Sequence, residues 1–242
     1  MLPVNAPAPG GILAHAAHPG PPLDWMTTTD APLLAALRAA TAEAHRAIDD
    51  LLQLDRLADL ARYRRVLSGF ASFLVPWEPR VRERLAAAGS GDPDALLAWF
   101  DARSRLPMLR QDLAALGLSG PDGATLADTP ADADAHSPRP WLPNLPDAPA
   151  AWGSLYVLEG SALGGQVIAR HVGPALGLAA DHGAAYFHGH GRATGAMWAD
   201  FRQRLSQAVP PGAAATASAC SAAVATFSAL QAHFECALAT PA

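Results

Sequence analysis

The chain contains no lysine: all 17 of its basic side chains are arginine. Against 22 acidic residues this leaves a net charge of −5, which argues against the basic face that sequence-independent nucleic-acid binding needs. Arginine's planar fork still suits strong contacts with carboxylates or phosphates. Aromatic residues are scarce as well, at 7% of 242 positions, and β-branched residues are few. Strands prefer those types, whereas alanine, which supplies much of the hydrophobic half of the chain, favours helix. The expected fold class is therefore all-α, in one domain, since the chain is long enough to bury a substantial core.

Cysteine is nearly absent. Cys220 and Cys236 both lie in the Ala-rich C-terminal segment. On one continuous helix they would stand roughly 24 Å apart, far beyond the ~7 Å that a disulfide bridges between Cα atoms. A reducing cytoplasm is the expected compartment. No arginine precedes Arg38, so the N-terminus lacks the basic region of a secretory signal. The stretch 205–234 has no acidic or arginine side chain, but it is rich in Ala, Ser and Thr and interrupted by Pro210-Pro211. No membrane span is expected there.

Residues 1–25 are rich in Pro, Gly and Ala without helical periodicity, and they read as disordered. Met26 precedes Thr27-Thr28-Thr29-Asp30, a run of helix-capping residues before an apolar-periodic segment. The expected division is an extension over 1–30 and a helical domain over 31–240. Met26 as the natural start is a further expectation, tested by the N-terminal mass of the native protein.

The first helix is expected over about Pro32–Leu52, with Leu33, Leu37, Ala40, Ala44 and Ile48 as an apolar stripe. A second, over about Leu60–Leu85, should be kinked or split by Pro76 and Pro79. A third fits Asp92–Leu116, with Pro107 as a point of interruption and Gly117 as its end. Ser119–Pro149, crowded with Pro, Asp and Gly, reads as a long loop with a short helix near Ala124–Leu126. A helix from about Ala150 to Val172 should stop at Gly173-Pro174. Two more follow, near Thr194–Gln207 and Ala213–Ala239. There is no strand signal and no internal repeat.

The segment from Tyr156 to Arg170 carries the most information. It reads as helical yet holds Gly160, Gly164 and Gly165, each costing about 1 kcal/mol relative to alanine. Gly160 and Gly164 share a face, so something flat or bulky could reach the backbone there. Close helix–helix packing through small residues gives the same pattern. On the first helix, His45 sits on or beside the apolar stripe, where a lone histidine is also a common core residue. Arg38 lies on the same face, roughly 10 Å away along the axis. That spacing suits a macrocycle bound through its metal at one end and through an acidic group at the other. Asp49, four residues on, is placed to accept a hydrogen bond from the second ring nitrogen and so orient a metal-bound imidazole.

These residues carry a family resemblance. Leu37-Arg38-Ala39-Ala40-Thr41-Ala42-Glu43-Ala44-His45 resembles the proximal helix of haem oxygenases. Gly160 with Leu163-Gly164-Gly165-Gln166-Val167 resembles their distal helix. The run Tyr186-Phe187-His188-Gly189-His190-Gly191, followed by Thr194-Gly195-Ala196-Met197-Trp198, is similar to a third stretch of bacterial members. The matches fall in the family's order between about residues 33 and 205. The resemblance implies a helical fold with haem held between a proximal and a distal helix, His45 as proximal iron ligand and Arg38 on a propionate. It implies Gly160, Gly164 and Gly165 against the haem face, and cleavage at a meso carbon to biliverdin, carbon monoxide and iron. One departure stands out: animal members carry an aspartate after the first distal glycine, and this chain has Ser161. Ser161 or Glu159 is then a candidate for the proton route.

No flavin- or nicotinamide-binding glycine fingerprint is visible, so electrons would come from an external donor such as a ferredoxin or a flavoprotein reductase. A biliverdin-accepting photoreceptor is a further conceivable partner. The arginines at 62, 64, 65, 80, 82 and 84 read as a solvated face, or as a dock for an acidic donor. His182, His188 and His190 fit no closed zinc pattern, and His171 reads as structural, at the end of the distal helix. Two alternatives to the enzyme stay open: a non-catalytic haem-binding or sensing protein of the same fold, and a haem-free protein with His45 in its core.

Overall fold

A computed structural model describes residues 32–87, 92–118 and 141–239. All of them fall in one compact unit, Ala31–Ala242. The expected N-terminal extension, the Met26 start with its capping run, and the short helix near Ala124–Leu126 lie outside the described residues. The helices are α1 (Pro32–Leu52), α2 (Leu60–Ala86), α3 (Pro93–Asp101), α4 (Leu106–Ala115), α5 (Ala148–Leu176), α6 (Ala185–His188), α7 (Thr194–Ala208) and α8 (Ala213–Ala239). Two single 3₁₀ turns, Leu54–Ala58 and Gly191–Ala193, link some of them. Among the described residues there is no strand, only an isolated bridge between Ala179 and the His182–Gly183 turn. The all-α class expected from composition is the class observed.

Helix α8 is the hub, packed against α1, α2 and α5. By length and composition it could cross a bilayer, but its alanines are spent on close packing. Ala219, Ala222, Ala223 and Ala229 are buried, and a side chain at Gly153 of α5 would run into the Ala219 backbone. Small residues on both helices thus let the two backbones approach. A chain of polar groups pins the same crossing: Trp77 Nε1 donates to Ser154 Oγ (2.9 Å), which meets Thr226 Oγ1 at 2.7 Å. Thr226 in turn donates to the Ala222 carbonyl (2.7 Å). Buried and fully partnered, these groups fix the relative register of α2, α5 and α8. Cys220 and Cys236, both on α8, are not joined in a disulfide.

Several boundaries differ from expectation. Helix α2 runs unbroken through Pro76 and Pro79, because Phe73, Trp77, Val81 and Leu85 are buried along it. Burying such side chains gains about 1.5–3 kcal/mol each, enough to offset the lost backbone bonds. The expected third helix is two, with Pro107 in the first turn of α4, where its missing N–H costs nothing. Helix α5 passes Gly173-Pro174 and ends only at Gly177, whose φ of 68° is the left-handed cap that stops a helix. His171 therefore lies inside α5, not at its end. On α1 the buried face is Leu34, Leu37, Thr41, Ile48 and Leu52. It is rotated slightly from the expected stripe: Ala40 is exposed, and Leu33 and Ala44 are half-buried.

Candidate functional site

Helices α1 and α5 both lie on α8 and scarcely touch each other. The residues singled out in the sequence sit on these two helices. His45 projects from α1 with its side chain 60% exposed, so it is not a core histidine. Its Nδ1 is 3.1 Å from the Asp49 carboxylate, and its ring meets Phe227 of α8 edge-on, with centroids 5.6 Å apart. The Asp49 hydrogen bond raises the His45 pKa, with burial working the other way and the Asp49 charge adding to the rise. With Nδ1 engaged as a donor, the neutral ring leaves Nε2 as its lone-pair nitrogen, the arrangement a metal-binding imidazole requires. Arg38 is exposed on α1, two turns before His45.

The three glycines of α5 do different things. A Cβ at Gly164 would meet nothing within 4 Å, whereas at Gly160 it would rest 3.8 Å from the Trp198 ring. At Gly165 it would press to 3.1 Å on the Phe187 carbonyl, so that glycine admits α6. The open strip of α5 is thus Gly160, Gly164 and, one turn further, Val167, a large apolar side chain left 46% exposed. A bare backbone strip beside an exposed apolar side chain suits a flat apolar ligand. The Nε2 of His45 suits a metal within it, so the residues present fit haem.

A polar network lies behind this strip, and sequence reasoning missed most of it. Arg103 and Arg105 come from the break between α3 and α4 and are buried. Arg103 donates to Glu159 (2.6 Å), Asp200 (2.7 Å) and the Met197 carbonyl (2.8 Å), with its guanidinium 4.4 Å above the Trp99 ring. Burial pushes the Glu159 carboxyl up, against the opposing charges of Arg103 and Arg105. Arg105 donates to the Leu158 carbonyl (2.8 Å) and to Ser161 Oγ (2.7 Å). A cavity of about 30 Å³ is lined by Glu78, Arg103, Ser104, Arg105 and Glu159 with five apolar side chains. It has room for about one water and none for a macrocycle. The only sequence signal for this network was two arginines close together between apolar runs.

The remaining candidates have local roles. Arg62 donates to the Leu51 and Leu52 carbonyls, closing the C-terminus of α1. Arg82 pairs with Asp101 (3.1 Å), both half-exposed. The six arginines are thus not one solvated face, since 62, 64 and 65 are half-buried. His182 is exposed, and His188 and His190 are half-buried. Among the described residues, no group of three or more His, Cys, Asp or Glu side chains is placed to hold a metal ion. The segment carrying these histidines is instead anchored by Asp112, which accepts from the Ala185 and Tyr186 amides at 2.8 Å each. Gln166 ties it to α5 through the Gly191 carbonyl (2.8 Å).

Comparison with known proteins gives one consistent result. The structure resembles that of haem oxygenase 2 from Chlamydomonas reinhardtii, solved without haem, with a TM-score of 0.62 over 87% of this chain and 98% of that one, at 19% identity. A haem oxygenase from Xanthomonas campestris pv. campestris (strain 8004) is 35% identical over 184 residues, 76% of this chain and 88% of the relative. The haem oxygenase family model matches residues 31–235. By that match and that identity, the chain belongs to the haem oxygenase family.

Proposed function

We propose that the protein is a cytoplasmic haem oxygenase that cleaves haem at a meso carbon to biliverdin, carbon monoxide and iron, using O₂ and electrons from an external donor. Two observations carry this reading: His45 on α1 has its Nδ1 held by Asp49, and α5, which packs on the same helix α8, leaves the strip Gly160–Gly164–Val167 open. When bound, haem supplies both the iron and the ring that is cleaved.

In this reading His45 Nε2 holds the iron and Asp49 fixes the ring's tautomer and direction. Arg38 pairs with a propionate, for which its fork is suited. Gly160 and Gly164 let the macrocycle lie against the α5 backbone, while Gly165 keeps α5 tight on α6. If haem is held through His45, the histidine would push less electron density onto the iron than a thiolate would. Electrons arrive from a ferredoxin or a flavoprotein reductase, and the product could serve iron release or a biliverdin-accepting photoreceptor.

An absorption time course with stoichiometric haem, O₂ and ascorbate or a ferredoxin system tests the proposal. Decay of the Soret band with growth of a biliverdin-like long-wavelength band is the expected result. A Soret band that forms and persists would instead support a haem carrier or sensor. The observation favouring that second reading is Ser161, whose hydroxyl is already engaged by Arg105 and by the Leu158 carbonyl.

A further inference from the structure

A row of aromatic rings leads from the open strip of α5 to the surface. It starts at Trp198 of α7, half-buried, whose ring lies 3.8 Å from the Cβ position of Gly160. Trp198 stacks on Phe201, with centroids 5.5 Å apart and 18° between the planes. Phe201 meets Trp152 of α5 at 6.0 Å, and Trp152 meets Trp99 of α3 at 5.5 Å. Trp152 and Phe201 are buried, whereas Trp99 is half-buried. At this outer end Trp99 Nε1 donates to the Asp200 carboxylate at 2.6 Å, and the Asp200 side chain is 44% exposed. Core packing explains why rings gather. It does not require the row to begin beside bare backbone and to end on a carboxylate within reach of solvent.

An indole gives up an electron far more readily than a phenyl ring, so the three tryptophans can carry an oxidation while Phe201 only bridges Trp198 and Trp152. Arg103 and Arg204 lie 4.4 and 5.0 Å from the centre of the Trp99 ring. Two cations at that range oppose a positive charge on the ring. Trp99 therefore gives up an electron most easily together with its Nε1 proton, which Asp200 is placed to take.

We propose that Trp198, Trp152 and Trp99 form an electron-supply route that protects the protein when a hydroperoxide is split at the site without cleavage of the macrocycle. Reducing a hydroperoxide to an alcohol and water takes two electrons and two protons. The electrons leave Trp198 one at a time. Trp152 refills Trp198 across Phe201, and Trp99 refills Trp152 while passing its proton to Asp200. A small reductant in solution, a thiol or ascorbate, is oxidised in returning the electron, and Asp200 returns the proton. The two protons used at the site come from solvent. This inference rests on the haem reading, in which haem on the strip supplies the O–O cleavage.

The test treats the ferric haem complex of the whole protein with cumene hydroperoxide and no electron donor. Oxidised tryptophans are then mapped by peptide mass spectrometry, and radicals are followed by freeze-quench electron paramagnetic resonance. Trp141, 51% exposed and outside the row, reports freely diffusing oxidant. A tryptophanyl radical and oxidation of Trp99 in excess of Trp141 are expected, both suppressed by ascorbate. In Trp152→Phe, which keeps a ring in the core, oxidation of Trp99 should fall to the level of the haem-free protein while that of Trp198 rises. Asp200→Asn keeps an oxygen acceptor for Trp99 and Arg103 but cannot take the proton, so oxidation should shift inward to Trp152 and Trp198. Oxidation of Trp99 that is matched at Trp141, or that is unchanged in both variants, would overturn the proposal and leave the haem reading standing. Absence of any Soret complex in the wild-type protein would overturn the haem reading, and this inference with it.

Discussion

His45 Nδ1 lies 3.1 Å from the carboxylate of Asp49, one turn further along α1, with both side chains more than half exposed. Because neither is buried, the contact does little for the fold. Its value lies in aiming the imidazole. Asp49→Asn should therefore lower haem affinity by roughly 10–100-fold and leave the melting temperature of the haem-free protein almost unchanged. Haem titration and thermal melts on the same samples check this. An unaltered affinity would mean that His45 is oriented by Phe227 alone.

The adjacent glycines of α5 separate the site from the scaffold. Gly164→Leu has open space before it, so the haem-free fold should tolerate it and gain up to about 1 kcal/mol in helix propensity. The same change should abolish the Soret complex by filling the strip. Gly165→Leu meets the Phe187 backbone and should cost about 1–3 kcal/mol through overpacking. Urea denaturation beside haem titration distinguishes the two. Equal loss of stability in both variants would contradict the open strip.

Helices α1 and α8 were legible in the sequence at both ends. Local periodicity and the proline just inside its start give α1 its observed limits, and Gly212 followed by an apolar run does the same for α8. The end of α5 was misplaced because Pro174 removes only one backbone bond, and neighbouring contacts decide whether that stops a helix. His45, Asp49 and the glycines were visible because their chemistry depends on spacing within one helix. Arg103 and Arg105 were not. They act on α5 residues 53–56 positions away in the chain, and only tertiary packing brings them there. Ser161 could be flagged as a departure from the family pattern, but its partner could not be named.

Glu78 gives a pH-dependent stability. Burial raises its carboxyl pKa in the folded protein above the ordinary 4.5, ahead of the opposing hydrogen bond from Ser104. The folded state therefore holds a proton more tightly than the unfolded chain. Its stabilising share is fully present below the unfolded pKa and is lost as pH rises through the folded one. Glu78→Gln removes this titration. Its melting temperature should track the wild type at pH values below about 4.5 and rise relative to it toward neutrality. Melts across that range provide the check, and a constant offset would show that Glu78 ionises at its ordinary pKa.

Arg103 and Glu159 make the most buried ion pair of the network, with side chains 5% and 12% exposed and 2.6 Å between them. Arg103 also holds Asp200 and the Met197 carbonyl, so it ties α7 to α5. Arg103→Met would leave Glu159 buried without its counter-charge and should cost about 3–5 kcal/mol. Glu159→Gln keeps an oxygen that accepts from Arg103 and removes a carboxyl that burial already pushes toward neutrality. It should cost clearly less than the arginine change. Denaturant midpoints of the two variants check the order. If Glu159→Gln were the more damaging, the negative charge would be what holds α5 to α7, and burial would not dominate the Glu159 carboxyl.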